Sequence, residues 1–525
     1  MVNLLFSGAV SACFELQNSD PYYAPQPYDL YLDGALLREG DTNVFSLYGL
    51  KPDTEYRLRV VLRDEAGTAE ECTFRTAKET CAVDVRAFGA AGDGVTDDTR
   101  AIQTAIHCLP EGGRLHVPAG TYLTGPLFLK SHMTLEVAEG AVLLGSTDRA
   151  DYPVIPAAAA DLVTGTELHF GGFEGLAMDM FQALVCAEYA EDITIIGPGR
   201  VDGNAQNSDW WQVFKTIPTA RPRLFFFNRC RNIRMHGIDA CNSASWQLHP
   251  YYSEDLSFLD VKVSAPKISP NTDALDPEAC DRVDIIGCRF SVGDDCIAIK
   301  SGKIELGRMF KKSASRHTIR NCLMENGHGA VVLGSEIGAG VKDLTVTQCL
   351  FRETDRGLRI KTRRGRGEDC QVTGIVFDNI RMDKVLTPIV VNMWYNCCDP
   401  DRYSEYVWSR EKLPVDDRTP HLGTFSFRNI DCTGVRVAAC YIDGLPEMPL
   451  DEVELKNVRF EYDPDAEPGV PAMQNFAEPR CRLGMYFDNV RHVRIDHVTL
   501  SGQDGKKLIA EHCGSIETTG FEEVE

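Results

Sequence analysis

The sequence predicts an all-β chain in which a small β-sandwich precedes a long parallel β-helix, a solenoid of stacked coils. Three observations carry that prediction. Residues 1 to about 78 alternate apolar and polar side chains in short runs, the period of strands with one buried face. From about residue 130 one short apolar unit recurs at intervals of roughly 20 to 30 residues, the mark of a solenoid. No helical periodicity intervenes between those units, so the repeats are strands joined by turns.

Taken in chain order, the clearest early strand is Leu50-Lys-Pro-Asp-Thr-Glu-Tyr-Arg-Leu-Arg-Val60. Behind its Pro52-Asp53 turn, Tyr56, Leu58 and Val60 share one face at period two. A tyrosine at the head of a strand after such a turn resembles the tyrosine corner of fibronectin type III sandwiches. Ala77–Thr80 reads as a linker, which divides the chain into residues 1–78 and 82–525. A glycine-rich loop then leads into a helix over 97–108, with Thr96 or Asp97 as its cap. Asp97 and Asp98 stand in its first turn, where the helix dipole favours carboxylates. Ala101, Ile102, Ala105 and Ile106 form one apolar stripe, which would close one end of the solenoid.

The repeating unit reads apolar, any, apolar, any, Gly or Asn or a similar residue, apolar. Instances are Ile193-Thr-Ile-Ile-Gly, Ile233-Arg-Met-His-Gly-Ile, Val283-Asp-Ile-Ile-Gly-Cys, Leu344-Thr-Val-Thr-Gln-Cys, Phe425-Ser-Phe-Arg-Asn-Ile, Val453-Glu-Leu-Lys-Asn-Val and Val493-Arg-Ile-Asp-His-Val. Units starting at Ile233, Leu256 and Val283 are 23 and 27 residues apart, and later intervals lengthen as if loops were inserted. No single unit buries its apolar row; stacking the coils closes a continuous core. A large antiparallel sandwich accounts for the strands but not for their common register.

Composition bounds the function. The 525 residues carry a formal net charge of −23, which argues against a nucleic-acid partner, since phosphate binding needs a basic face. No apolar run approaches the ~20 residues of a membrane span. Nineteen cysteines without zinc-ligand spacing, several at apolar strand positions (Cys288, Cys296, Cys322, Cys349), suit a reducing cytoplasm. The start of the chain lacks a basic leader region. Val10-Ser-Ala-Cys13 resembles a lipoprotein cleavage site and reads equally as a strand, so an exported or lipid-anchored form is the alternative.

One polar constellation stands out. In Ser291-Val-Gly-Asp-Asp-Cys-Ile-Ala-Ile-Lys-Ser-Gly302, Asp294 and Asp295 open an apolar strand. Asp273, in Asn271-Thr-Asp273, precedes them by 21 and 22 residues, about one coil, so the three carboxylates would stack. Both members of the pair can face solvent only if the chain turns, and Gly293 would permit that. His328, in Gly327-His-Gly329, follows Asp295 by 33 residues, one coil plus an insertion around Ser301–Ser315. Arg359 and Lys361 share a face while Ile360 points inward, within a segment 352–366 holding seven basic and two acidic residues. Taken singly, each of these is an ordinary polar turn or a solvated strand face; their order and coil-compatible spacing make them a site. Such a set suits hydrolysis of an anionic sugar. One carboxylic acid protonates the departing oxygen, another carboxylate takes a proton from water, and the cations hold a sugar carboxylate. Cys296 alternates with core positions and is read as packing.

The four motifs Asn271-Thr-Asp, Gly293-Asp-Asp, Gly327-His-Gly and Arg359-Ile-Lys, in that order, resemble those of glycoside hydrolase family 28, the polygalacturonases, over residues 82–525. The resemblance implies a right-handed parallel β-helix and inverting hydrolysis of α-1,4-galacturonosidic bonds without metal or cofactor. It assigns the general acid to Asp294, water activation to Asp273 and Asp295, tuning of the acid to His328, and substrate contacts to Asn271, Arg359 and Lys361. An inverting pair is expected to stand roughly 6.5 to 9.5 Å apart. Ala274 replaces a glycine frequent in the family and would narrow a subsite. Asn242–Pro250 and Asn392–Cys397 resemble segments of bacterial exo-acting members, some of which carry a fibronectin-like domain. That makes Trp246, His249, Trp394 and Tyr395 candidate sugar contacts, although each could equally be a core aromatic. Long stretches near 301–315 and 395–420 would wall the cleft for exo action. Alternatives are a lyase, hydrolysis of a rhamnogalacturonan-type linkage, and a non-catalytic carbohydrate-binding solenoid. The expected partner is a pectic oligosaccharide; oligomeric state is open.

Overall fold

The computed structural model describes residues 1–160, 162–213, 216–396 and 404–524. Seven strands occupy the first 75 residues: β1 (Val2–Ser7), β2 (Ser11–Leu16), β3 (Tyr23–Leu32), β4 (Ala35–Thr42), β5 (Val44–Tyr48), β6 (Glu55–Leu62) and β7 (Ala69–Arg75). They pair antiparallel into two sheets, β1-β2-β5 and β4-β3-β6-β7. The inner faces close over Phe14, Leu30, Phe45, Leu58 and Phe74. The Tyr56 hydroxyl accepts the backbone N–H of Lys51 at 2.8 Å, tying β6 to the turn that precedes it.

From Ala82 the chain winds into stacked coils whose strands form a parallel network of 25. The repeats lie in register: Ile193, Ile233, Leu256, Val283, His317, Leu344, Ile375, Phe425, Val453 and Val493 each pair with the next. The Gly-or-Asn position of the unit has a single cause. Gly197, Gly237, Gly287 and Gln348 turn the corner between two strands, and Asn429, Asn457 and His497 bend one long strand at the same position, all with φ between 52° and 117°. That left-handed backbone favours glycine and asparagine. One core runs through the coils from Val85 to Leu500. The described cysteines are all free; Cys288, Cys322 and Cys349 are fully buried in it. Cys397 and Cys398 lie outside the described residues. No described helix is long and apolar enough to cross a membrane.

Helix α1 (Thr99–Cys108) buries Ile102, Ala105 and Ile106 against the first coil, as the stripe predicted. It starts later than expected, because Asp93–Asp97 is a strand paired with Gly120–Thr124. Asp98 therefore stands at the helix start. Its carboxylate accepts the Ala91 and Gly92 N–H groups at 2.6 and 2.9 Å, folding the loop back instead of capping the helix.

The sandwich packs on the corner column of the coils. Glu15 accepts from Arg320 at 2.7 Å and from Asn321 at 2.8 Å, and the Ser46 hydroxyl lies 2.8 Å from His236. Val44 and Cys13 pack against Leu259 and Ile286. A Cβ on Gly287 would sit 2.4 Å from Val44. Gly287→Ala is accordingly expected to cost about 1–3 kcal/mol and to speed trypsin cleavage at the exposed Lys78 linker. Unchanged cleavage would mean that the sandwich does not seat on this corner.

Candidate active site

Three strands of a seven-stranded sheet carry the site: Ile297–Ile299, Val331–Gly334 and Arg356–Lys361. A parallel bridge between Leu275 and Ile297 sets Asp273 opposite Asp295, and the Ala274 N–H donates to the Asp295 carbonyl at 3.0 Å. On the next coil the His328 N–H donates to the Asp294 carbonyl at 3.0 Å. The extra length before His328 holds helix α2 (Ile304–Phe310). Asp294 and Asp295 both reach the cleft because the chain bends there, and the Asp295 N–H donates to the Asp294 carboxylate at 3.0 Å. The chain turns at Gly293 as expected, without a left-handed φ. The glycine is needed for close approach, since a Cβ would lie 2.5 Å from the Ser269 carbonyl.

One carboxylate oxygen from each of Asp273, Asp294 and Asp295 lies within 4.8 Å of the other two. That is tighter than the separation expected of an inverting pair. Protein cations on two sides offset the repulsion. Asp295 accepts from Lys361 Nζ at 2.7 Å and from Arg359 at 3.4 Å, one oxygen each. Lys300 Nζ stands 3.1 Å from Asp276, 3.5 Å from Glu336 and 3.7 Å from Asp273. Asn271 sits at the rim and accepts from Arg221 at 2.7 Å. Asp294 is the outermost of the three acids, its side chain 22% exposed against 5% for Asp273 and 1% for Asp295. His328 Nδ1 lies 3.4 Å from it.

These neighbours set the charges. Burial opposes ionisation of Asp295, but Lys361 and Arg359 outweigh it and bring its pKa down to about 2. Burial, with Asp276 and Asp294 close by, pushes Asp273 well above the usual carboxylate range. Burial raises Asp276 to about 7 against the pull of Lys300. The hydrogen bond to Asp294 raises His328 above the ordinary 6.5, so its imidazolium persists. The cluster thus holds one firmly ionised carboxylate, Asp295, beside one, Asp273, that favours its proton.

One of the four aromatic candidates, His249, is corrected, and the two tryptophans are largely covered. His249 is fully buried, its Nε2 3.0 Å from Glu278, and faces no cleft. Trp246 and Trp394 are each 2% exposed. Lys300 lies over the Trp246 ring at 4.4 Å with Phe173 stacked beside it, and Arg410 lies over Trp394 at 4.0 Å. Trp246 is part of the catalytic cavity's wall, roofed by Lys300, while Trp394 lines a neighbouring cleft instead of this cavity. Tyr395 does line the cavity, with Lys361 5.7 Å from its ring. Ala274 points into the core and narrows no subsite.

The cavity encloses about 210 Å³, lined by the three acids, His328, Asn271, Arg359, Lys361 and Tyr395. It also takes residues that the motifs did not flag: Glu174, Lys300, Lys303, Ser335, Glu336 and Met473. Lys300 directly follows Ile299, which stacks through Leu333 on Ile360 in one column of the sheet, and so stands at the end of the strand that opens at the acids. Two excursions supply walls beyond α2. Residues 153–181 form short antiparallel pairs, one of which, Gly172–Phe173 with Leu176–Ala177, brings Glu174 in. Residues 463–480 are tied down by Arg356, which donates to the Val470 and Pro471 carbonyls at 2.6 and 2.9 Å, and they carry Met473. Part of the 395–420 stretch expected as a wall lies outside the described residues.

A sequence model of glycosyl hydrolases family 28 matches residues 160–468. The chain belongs to that family. Residues 82–165 match a second model, rhamnogalacturonase A/epimerase, pectate lyase-like. A probable polygalacturonase of Vitis vinifera is 30% identical over 383 residues, 71% of this chain and 72% of its own length. The exopolygalacturonase of Thermotoga maritima is 28% identical with a TM-score of 0.63, over 74% of this chain and 88% of its own. The Yersinia enterocolitica family 28 exopolygalacturonase, 20% identical, matches in fold over 99% of this chain and 98% of its own, TM-score 0.70. This family-28 chain is thus a glycoside hydrolase on a right-handed parallel β-helix.

Proposed function

We propose that the chain hydrolyses α-1,4-galacturonosidic bonds at the end of pectic oligo- and polygalacturonides, releasing galacturonate. The observation that carries this reading is the Asp295 carboxylate clamped by Lys361 and Arg359 beside Asp273 and Asp294, in a pocket walled by excursions of the chain. A volume of about 210 Å³ is smaller than the roughly 300–1,000 Å³ of a drug-sized ligand site. It suits one sugar ring at a chain end better than a polymer lying across a groove.

In this reading Asp294, nearest solvent, gives its proton to the departing glycosidic oxygen, and the leaving chain exits outward. Asp295, ionised, takes a proton from water held between it and Asp273. A sugar carboxylate competes for Arg359 and Lys361, the two cations that keep Asp295 a weak base. Substrate charge would then free Asp295 to act, so a methyl ester on the ring at these cations is expected to lower kcat. The tight spacing of the acids does not by itself argue inversion. Proton NMR of the first product settles it: the β-anomer of galacturonate supports inversion, the α-anomer overturns it.

Activity on trigalacturonate should persist in EDTA without an unsaturated, ultraviolet-absorbing product; loss in the chelator or appearance of that product would point to a lyase. Rate is expected to fall on the alkaline side as His328 loses its charge. The sign follows from its raised pKa: the charged form prevails below the ordinary 6.5 and is lost as pH rises through the higher folded value. His328→Ala should remove that limb from the pH–rate profile.

The hairpin that carries Glu174 approaches α2 through Gly175, whose carbonyl accepts the Lys303 N–H at 2.9 Å. Gly175 has φ 72°, and a Cβ there would lie 2.7 Å from the Lys303 nitrogen. Gly175→Val is expected to displace the wall and lower kcat/KM by about 10²-fold; an unchanged value would mean that the hairpin is not part of the site.

The sandwich we read as a fibronectin type III unit, supported by its sheet orders and the Tyr56 bond to Lys51. A reducing, cytoplasmic setting is supported by the packed thiols of Cys288, Cys322 and Cys349.

A further inference from the structure

We infer that a second cleft, beside the catalytic pocket, binds an uncharged sugar ring. It lies on the strands that follow Arg356–Lys361 in the same sheet, Thr387–Asn392, Ala438–Asp443 and Leu483–Asp488, and encloses about 700 Å³. A thin partition separates the two. Tyr395 faces the catalytic pocket and its neighbour Trp394 the second cleft; Met473 and Gln474 divide in the same way. Tyr395 and Gln474 pair across the partition, and Asn392 donates to the Met473 carbonyl at 3.0 Å.

The lining is aromatic, and its charges are balanced. Tyr441 and Tyr486 stack at 4.9 Å and 18° from parallel, both partly exposed, while the Phe476 ring is 81% exposed at the mouth. Each cation in the cleft already has its own acid: Arg410 with Asp443 at 2.8 Å, Arg480 with Glu478 at 3.1 Å, His512 with Asp488 at 2.8 Å. With Arg410, Arg480 and His512 matched by Asp443, Glu478 and Asp488, a polyanion finds no net positive charge in this cleft. Gln474, 9% exposed, donates to Asp443 and Tyr441 but leaves Oε1 buried without a partner among the described residues. A sugar hydroxyl is the donor such an acceptor lacks. Apolar ring surface with a few placed polar groups is what a saccharide site presents. The ligand class rests on the family assignment; the preference for an uncharged ring rests on the balanced charges.

The test measures binding, not turnover, so it stands whether or not the proposed reaction does. Calorimetric titration of the Asp294→Asn protein with fully methyl-esterified trigalacturonate is expected to show binding that Phe476→Ala or Tyr486→Ala weakens by about 10-fold and Tyr486→Phe retains. Unesterified trigalacturonate should keep its affinity in both alanine variants. Methyl galacturonate methyl ester, a single ring, separates the sources: binding of the monomer marks a site for a free neutral sugar, and binding of the trimer alone marks a downstream extension of the catalytic pocket. Esterified ligand that binds equally well with and without Phe476 and Tyr486, or fails to bind at all, overturns the inference.

Discussion

Asp294→Asn is expected to lower kcat on trigalacturonate by about 10²–10⁴-fold, the usual contribution of a positioned acid, while the dissociation constant for that ligand changes little. The substitution keeps the shape of a side chain that only half-reaches solvent, and it leaves the Asp295–Lys361–Arg359 clamp untouched. Chemistry and binding therefore separate. Single-turnover kinetics with calorimetry reads both. An equal fall in affinity and rate would make Asp294 a binding group, and a wild type that binds without releasing galacturonate would make the chain a sugar-binding solenoid.

Lys300→Met carries the largest expected effect on stability. The ammonium is the cation that Asp276, Asp273 and Glu336 share in a fully buried setting, and its charge also holds Glu336 down to about 2 against burial. Removing one partner of a buried ion pair typically costs about 3–5 kcal/mol, because the charge left behind is uncompensated. Denaturant unfolding should show that loss. The double variant Lys300→Met/Asp276→Asn should recover part of it, since one stranded carboxylate becomes neutral. If the single variant unfolds like the wild type, the lysine is not the hub of the cluster.

What the sequence made legible follows from the geometry of a coil. The apolar column could be read because Gly237, Gly287, Asn429 and their equivalents must sit at left-handed bends, which fixes the phase of every unit. The acids and cations could be read because an interval of 22 residues is one coil here, so Asp273 and Asp295 had to meet. The aromatic candidates were harder to place for a physical reason. A tryptophan beside charged residues reads the same whether it faces a sugar or, as with Trp246 under Lys300 and Trp394 under Arg410, is roofed by a cation. Lys300 was passed over because it ends the run Ile297-Ala-Ile, where buried strand is the natural reading. The walls at 153–181 and 463–480 carry no repeat, and nothing in their spacing announces where they fold back.

The account turns on a closed pocket that takes one chain end at a time. Chromatography of the earliest products from trigalacturonate and from long polygalacturonate tests that directly. Galacturonate monomer as the sole small product from both is the predicted result. Oligomers of mixed length appearing early from the polymer would mean an open groove, and would contradict it.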